Sequence, residues 1–139
     1  MKKMTILFLT IMICLKLSAP PSGAVAIFHD PGYNPFTSLW DATCIVESGK
    51  DRFAIGDNGK SYGIAQIQQS RLNDYFNRTG IHYTLQDMFD VQKSRQIFMY
   101  YCFSPYHFEA ISRSWNGGNN YLRIKATKVY YRKIQACLN

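Results

Sequence analysis

Apolar positions change their spacing several times along this chain, and each change marks an element. Leu39, Trp40, Thr43, Ile45 and Val46 recur at helical intervals and predict a helix that starts at Phe36 or Thr37, ends at Glu47 and is stopped by Gly49. The pattern breaks at Asp57-Asn58-Gly59-Lys60, where Asn-Gly accepts the positive φ values of a tight turn. Phe53 to Ile55 and Tyr62 to Ile67 are then the arms of a small hairpin, and Gly63 permits close approach of another backbone or a ligand. Ser70 to Arg78 predicts a short helix closed near Gly80. Thr84 with Asp87 has the spacing of a capping pair and opens a long helix to about Cys102. Leu85, Met88, Phe89, Val91, Ile97, Phe98, Tyr101 and Cys102 make that helix the centre of the core, with its aromatics as packing rather than a sugar platform. Pro105 starts a further helix through Phe108, Ile111 and Trp115 that ends at Gly117-Gly118. A last helix, about Asn120 to Cys137, sends most of Tyr121, Ile124, Val129, Tyr130 and Ile134 into the core. The class is α+β, predominantly helical.

Ahead of these elements the character is different. Met1-Lys2-Lys3, the apolar run Met4 to Leu15 and Ala24-Val25-Ala26 have the order of a secretory signal peptide, which assigns residues 1–26 to a cleaved leader. The run is too short to span a bilayer, Lys16 interrupts its end, and Cys14 lacks the small residues of a lipoprotein signal, so no stable membrane anchor is expected. Residues 27–35, with Pro31, Gly32 and Pro35, form an extended lead-in, and 36–139 a single domain. With 47% apolar and 15% aromatic residues, the 139-residue chain has enough to build one core. The expected location is the periplasm or outside the cell.

Charge adds less than the total suggests. Loss of Lys2, Lys3 and Lys16 with the leader takes the formal charge from +7 to +4. Arg113, Arg123, Lys125, Lys128, Arg132 and Lys133 cluster with no acid after Glu109, which predicts one positive face, either simply solvated or steering an anionic polymer such as peptidoglycan or teichoic acid. Nucleic acid is not the expected partner, because no nucleic-acid motif accompanies the charge. Cys44, Cys102 and Cys137 follow the leader; two can pair in an oxidising compartment, and nothing in their spacing selects which. His29, His82 and His107 are scattered without metal-ligand spacing, so neither a metal site nor a cysteine nucleophile with a placed base is expected.

The chemistry concentrates on Glu47. Apolar neighbours should desolvate its carboxyl, and desolvation disfavours the charged form, raises the pKa and lets the group hold a proton near neutral pH for donation. Gln66, past the turn, is placed to face it.

Glu47-Ser48, Tyr62-Gly63-Ile64-Ala65-Gln66-Ile67, Ser114-Trp115-Asn116-Gly117-Gly118 and Thr127-Lys128-Val129-Tyr130 resemble, in order, the E-S, G-L-M-Q, A-Y-N-x-G and T-x-x-Y motifs of the soluble lytic transglycosylase family. The resemblance covers about Phe36 to Ile134 and is greatest to the small specialised members that open the wall for secretion or conjugation machines, or for phage. It departs at Trp115 for Tyr, Ala65 for Met, and Ala126 where an acid often precedes the Thr. It implies a lysozyme-like fold with the hairpin beside the catalytic helix, Glu47 as the catalytic acid, and Ser48, Tyr62, Gln66, Trp115, Asn116 and Tyr130 as substrate-binding residues. Peptidoglycan strands are the implied substrate, cleaved between N-acetylmuramic acid and N-acetylglucosamine without water to leave a 1,6-anhydro end. No cofactor is implied, a monomer is expected, and a secretion or conjugation machine is the implied partner. Two alternatives stay open: a hydrolytic muramidase on the same scaffold using Asp51 or Asp57, and a wall-binding assembly subunit that no longer cuts.

Overall fold

The computed structural model describes residues 34–138, so the leader and nearly all of the lead-in lie outside the described residues. Five α-helices and a small antiparallel sheet make up this part, giving a mainly helical α+β architecture. No helix among the described residues is long and apolar enough to cross a membrane.

Helix α1 spans Thr37–Ser48 and buries Leu39, Trp40, Ala42, Thr43 and Cys44. It stops where the apolar pattern stops. Gly49 takes φ 64, and the Gly49 and Lys50 N–H groups donate to the Ile45 and Cys44 carbonyls at 2.9 and 3.0 Å, satisfying groups the last turn leaves open. Ile45, expected to wrap the helix in apolar surface, is 42% exposed because it lies on the side away from the core.

The expected hairpin has a third strand. β1 (Ile55–Gly56), β2 (Ser61–Tyr62) and β3 (Ile67–Gln68) lie in that order, with Ile55 opposite Tyr62 and Tyr62 opposite Ile67. Tyr62 to Ile67 is therefore a reversal rather than one arm. Gly63 at φ 76 and Gln66 at φ 50 make the turn, which drives Ile64 and Ala65 into the core. A Cβ on Gly63 would overlap the Met88 carbonyl, so this glycine is the close-approach point that its sequence position suggested.

Helix α2 (Gln69–Thr79) follows directly and ends at Gly80 with φ 73. The long helix expected after Thr84 is split. Asp87 does accept from the Thr84 N–H and hydroxyl at 2.8 Å, but this pair opens only a 3-10 turn, Gln86–Phe89. Asp90 then turns extended and its carboxylate accepts from the Gln92 and Lys93 N–H groups, capping a separate α3, Val91–Tyr100. An Asp side chain that bonds the backbone ahead of it favours a fresh helix start over continuation.

A 3-10 turn at Pro105–His107 leads into α4 (Phe108–Gly117), and α5 runs from Ala126 to Leu138. The last helix thus starts later than the apolar pattern implied. Side chains take the Tyr121 carbonyl: Arg113 Nη2 donates to it at 3.2 Å and the Thr127 hydroxyl lies 2.9 Å from it. Ile124 and Val129 are exposed, at 40% and 52%, whereas Tyr130 and Ile134 are buried. Arg113 also leaves the expected positive face, being 6% exposed and paired with Glu109 at 2.9 Å. Leu39, Met88, Ile97, Phe98, Ile111 and Ile134 fill the core, and α5 packs across both α1 and α4.

Candidate active site

Where α1 ends, the sheet, α2 and the end of α4 enclose a groove of about 610 Å³. Glu47 lines it from α1, Gly56, Asp57 and Gln66 to Gln68 from the sheet, Ser70, Arg71 and Asp74 from α2, and Trp115 to Asn119 from the end of α4 and the turn after it. Glu47 is thus the last-turn acid of a helix whose other inner positions are apolar except Thr43, whose hydroxyl donates to the Leu39 carbonyl within the helix.

Because α5 packs on α1, Tyr130 reaches Glu47, and its hydroxyl donates to Oε1 at 2.7 Å. Thr127, one turn earlier on α5, is fully buried and accepts from Arg113 Nε at 3.1 Å, while its own hydroxyl donates to the Ile124 carbonyl at 2.7 Å and lies 2.9 Å from that of Tyr121. That network fixes the start of the helix carrying Tyr130. Burial pushes the Glu47 carboxyl up to about 7; the Tyr130 hydrogen bond pulls it down and the Asp57 charge pushes it up. Burial, with the adjacent Glu47 carboxyl, holds the Tyr130 phenol above its ordinary range, so it stays a donor.

Gln66 is fixed by its own turn. Its Nε2 donates to the Gly63 and Ala54 carbonyls at 3.0 and 3.3 Å, and its Oε1 lies where a Cβ on residue 56 would stand, so a side chain there would have to displace the Gln66 amide. Asn116 is exposed at the end of α4, and Trp115 packs edge-on against Phe98 at 5.0 Å. Glu47, Gln66, Trp115 and Asn116, separated widely in sequence, line one groove, with Tyr130 bonded to the acid from behind.

Ser48 and Tyr62, expected to bind substrate, are placed outside the lining of that groove. The Ser48 hydroxyl donates to the Ile64 carbonyl at 2.8 Å and lies 3.3 Å from that of Cys44, tying the end of α1 to the turn that carries Gln66. Tyr62 rests on Phe89, ring centroids 5.7 Å apart, and joins the sheet to the 3-10 turn below it. Both hold the site's frame.

Of the charged groove residues, Asp57 could not be told from Asp51 by sequence, and Arg71 carried no signal at all. Asp57, at φ 49, accepts from the Ser61 hydroxyl at 2.5 Å and from Gln68 Nε2 at 3.0 Å, and the Ser61 bond foremost holds its carboxyl below the usual range. Asp51, its equal in the sequence, lies outside the groove and accepts from the Phe53 N–H at 2.9 Å. Arg71 has its guanidinium 4.5 Å from the Tyr101 ring and 4.8 Å from that of Trp115, and Nη2 donates to the Ser114 and Trp115 carbonyls at 3.2 and 3.1 Å. Only the fold reveals this clamp, since its partners are 30 or more positions away.

Comparisons with family models, curated proteins and solved structures give no significant match. Among the described residues no group of His, Cys, Asp and Glu is arranged to hold a metal ion. Cys44, Cys102 and Cys137 are free thiols, and burial raises Cys44 and Cys102 to about 12, which leaves little thiolate for nucleophilic chemistry.

Proposed function

We propose that this chain is a peptidoglycan lytic transglycosylase with a lysozyme-like fold, exported through its leader, and that Glu47 serves as both acid and base. The observation that carries the reading is a carboxyl held near pH 7 at the head of a groove with a phenol fixed on one of its oxygens. An acid whose pKa matches the working pH donates and recovers a proton with the least cost.

The protonated Glu47 gives its proton to the oxygen bridging N-acetylmuramic acid to N-acetylglucosamine, and the C1–O bond breaks. The resulting carboxylate takes the proton of the same sugar's 6-hydroxyl as O6 bonds to C1, closing the 1,6-anhydro ring. One bond is exchanged for another, Glu47 ends as it began, and no water is consumed. Gln66, Asn116 and Trp115 hold the sugar so that O6 faces C1, while Tyr130 fixes the carboxyl; such orientation can supply roughly 7 kcal/mol or more of the barrier. No cofactor enters. The gene product would act on wall strands as a monomer, in the service of a secretion or conjugation machine or of a phage.

A second reading, hydrolysis by a muramidase, is favoured by Asp57, an ionised carboxylate on the wall of the same groove. Paired carboxylates are what either hydrolytic route requires. Purified peptidoglycan digested with this protein decides between the two by product mass: anhydro ends one water lighter support transglycosylation, and reducing ends alone support hydrolysis. Binding without any release of fragments would leave the wall-binding subunit.

A further inference from the structure

Four charged side chains line the groove: Glu47, Asp57, Asp74 and Arg71. Three are acids, and each already has a partner: Glu47 accepts from the Tyr130 hydroxyl at 2.7 Å. Asp57 is held by Ser61 and Gln68, and Asp74 Oδ2 accepts from the Tyr101 hydroxyl at 2.6 Å and from Arg78 Nε at 2.9 Å. Arg71 is the sole cation of the lining; among the described residues no carboxylate lies within ion-pair distance of it, though at longer range its charge helps hold the Asp74 carboxyl below the usual range.

Its orientation is nevertheless fixed. Two aromatic faces, Tyr101 and Trp115, stack against the guanidinium, and Nη2 is held by two consecutive carbonyls at the end of α4. An arginine has five N–H donors in a rigid fork. No hydrogen bond of normal geometry among the described residues uses Nε or Nη1, although the guanidinium lies close enough to the Tyr101 hydroxyl to favour its ionised form. A stacked, half-buried guanidinium with unspent donors on the wall of a cleft suits a carboxylate, which can take two parallel N–H bonds.

We propose that Arg71 forms an anion subsite in this groove that takes a carboxylate carried by the N-acetylmuramic acid residue of the bound strand. The proposal rests on the peptidoglycan reading and extends it to the part of the substrate that neutral amino-sugar polymers lack. Two sources on that sugar have the required chemistry: the free lactyl carboxylate of peptide-free strands, and the carboxylates of an attached stem peptide. Trp115 serves twice in this arrangement, lining the groove and backing the guanidinium, so the subsite adjoins the Asn116 corner.

Calorimetric titration in a Glu47→Gln background, which leaves the ligand uncut, tests this with three oligosaccharides of equal length. The first is a peptide-free muramyl glycan, the second carries stem peptides, and the third is a neutral chito-oligosaccharide. At low salt one muramyl ligand should bind about tenfold tighter than the neutral one, the scale of a charge-assisted hydrogen bond. Which of the two does so identifies the source. Arg71→Gln should bring the muramyl-to-neutral affinity ratio down to about one, whatever loss the neutral ligand shares through Trp115, and Arg71→Lys should restore part of that ratio. Equal weakening of all three ligands by Arg71→Gln would mean that Arg71 only braces the end of α4, and equal affinity for all three before substitution would likewise overturn the subsite while leaving the wall-cleaving reading intact. If none of the three binds, the peptidoglycan reading itself fails and the subsite with it.

Discussion

Glu47 and Asp57 look into one groove and titrate in opposite directions. Glu47 sits where α1 and α5 press together, and burial outweighs its single hydrogen bond, so the carboxyl rises to about 7. Asp57 sits on an exposed turn, where water and two donors, Ser61 and Gln68, favour the charge and pull it down. Identical chemistry is thus divided into a proton donor and a fixed anion by packing on one wall and solvent on the other. The dry wall holds a carboxyl that keeps its proton near neutral pH; the wet wall holds a fixed negative charge.

Removing the acid of the dry wall should have the largest effect. Glu47→Gln keeps shape but cannot exchange the proton, and release of soluble fragments from purified wall should fall by about 10² to 10⁴-fold. The same variant tests the titration directly. With the folded pKa near 7 against an ordinary 4.5, both states are protonated below pH 4.5, the unfolded chain ionises first between 4.5 and 7, and both are ionised above. Stability therefore drops as pH rises through that window, by about 3 kcal/mol at order of magnitude. Denaturant midpoints taken from pH 4.5 to 7.5 should show that slope in the wild type and lose it in Glu47→Gln. Asp57, Asp74 and Asp87 act the other way, since their lowered pKa values contribute stability that is lost only as pH falls below the ordinary carboxylate range. The two windows are separate, so the slope belongs to Glu47.

Tyr130→Phe is the next step down. It deletes the donor on Oε1 and leaves that oxygen facing a ring edge, a loss of about tenfold to hundredfold in rate. Because the phenol lowers the Glu47 pKa, its removal should move the alkaline limb of the rate profile to higher pH. An unchanged limb, measured with a soluble dye-labelled wall substrate, would show that the hydroxyl does not bear on the proton.

How much of this was legible in the chain depends on the distance over which each signal acts. Gly49, Gly63 and Gly80 were readable because a backbone requirement acts on the residue that meets it, and all three take positive φ. Glu47 was readable because its helix writes its burial in its own apolar spacing. The break at Asp90 was not, since Thr84 and Asp87, six and three residues earlier, already satisfied the pattern of a helix start, and nothing local says which of two caps governs. The late start of α5 depends on Arg113, which looked like a surface cation and instead is buried with its donors on Thr127 and the Tyr121 carbonyl. Tyr130 came from motif order alone, as no spacing could place its hydroxyl on an acid 83 residues away. Ser48 and Tyr62, carried over with the same motifs, turned out to brace the groove rather than line it.

The smallest effect is expected on the wet wall, and it separates the two enzymatic readings most sharply. Asp57→Asn retains an oxygen to accept from Ser61 and Gln68 but removes the charge that contributes, third after burial and Tyr130, to the position of the Glu47 pKa. For a transglycosylase the substrate's own 6-hydroxyl is the nucleophile, so the variant should keep its rate within about tenfold, keep anhydro products, and shift its alkaline limb slightly to lower pH, because a raising charge has gone. For a hydrolase the same change removes the nucleophile or base itself, and the rate should collapse by about 10² or more. A near-normal rate with reducing ends would contradict both accounts, because water would then be activated by neither carboxylate of the groove. The product mass and the limb shift must therefore be read from one preparation, so that the field effect of Asp57 and its chemical use are measured on the same protein.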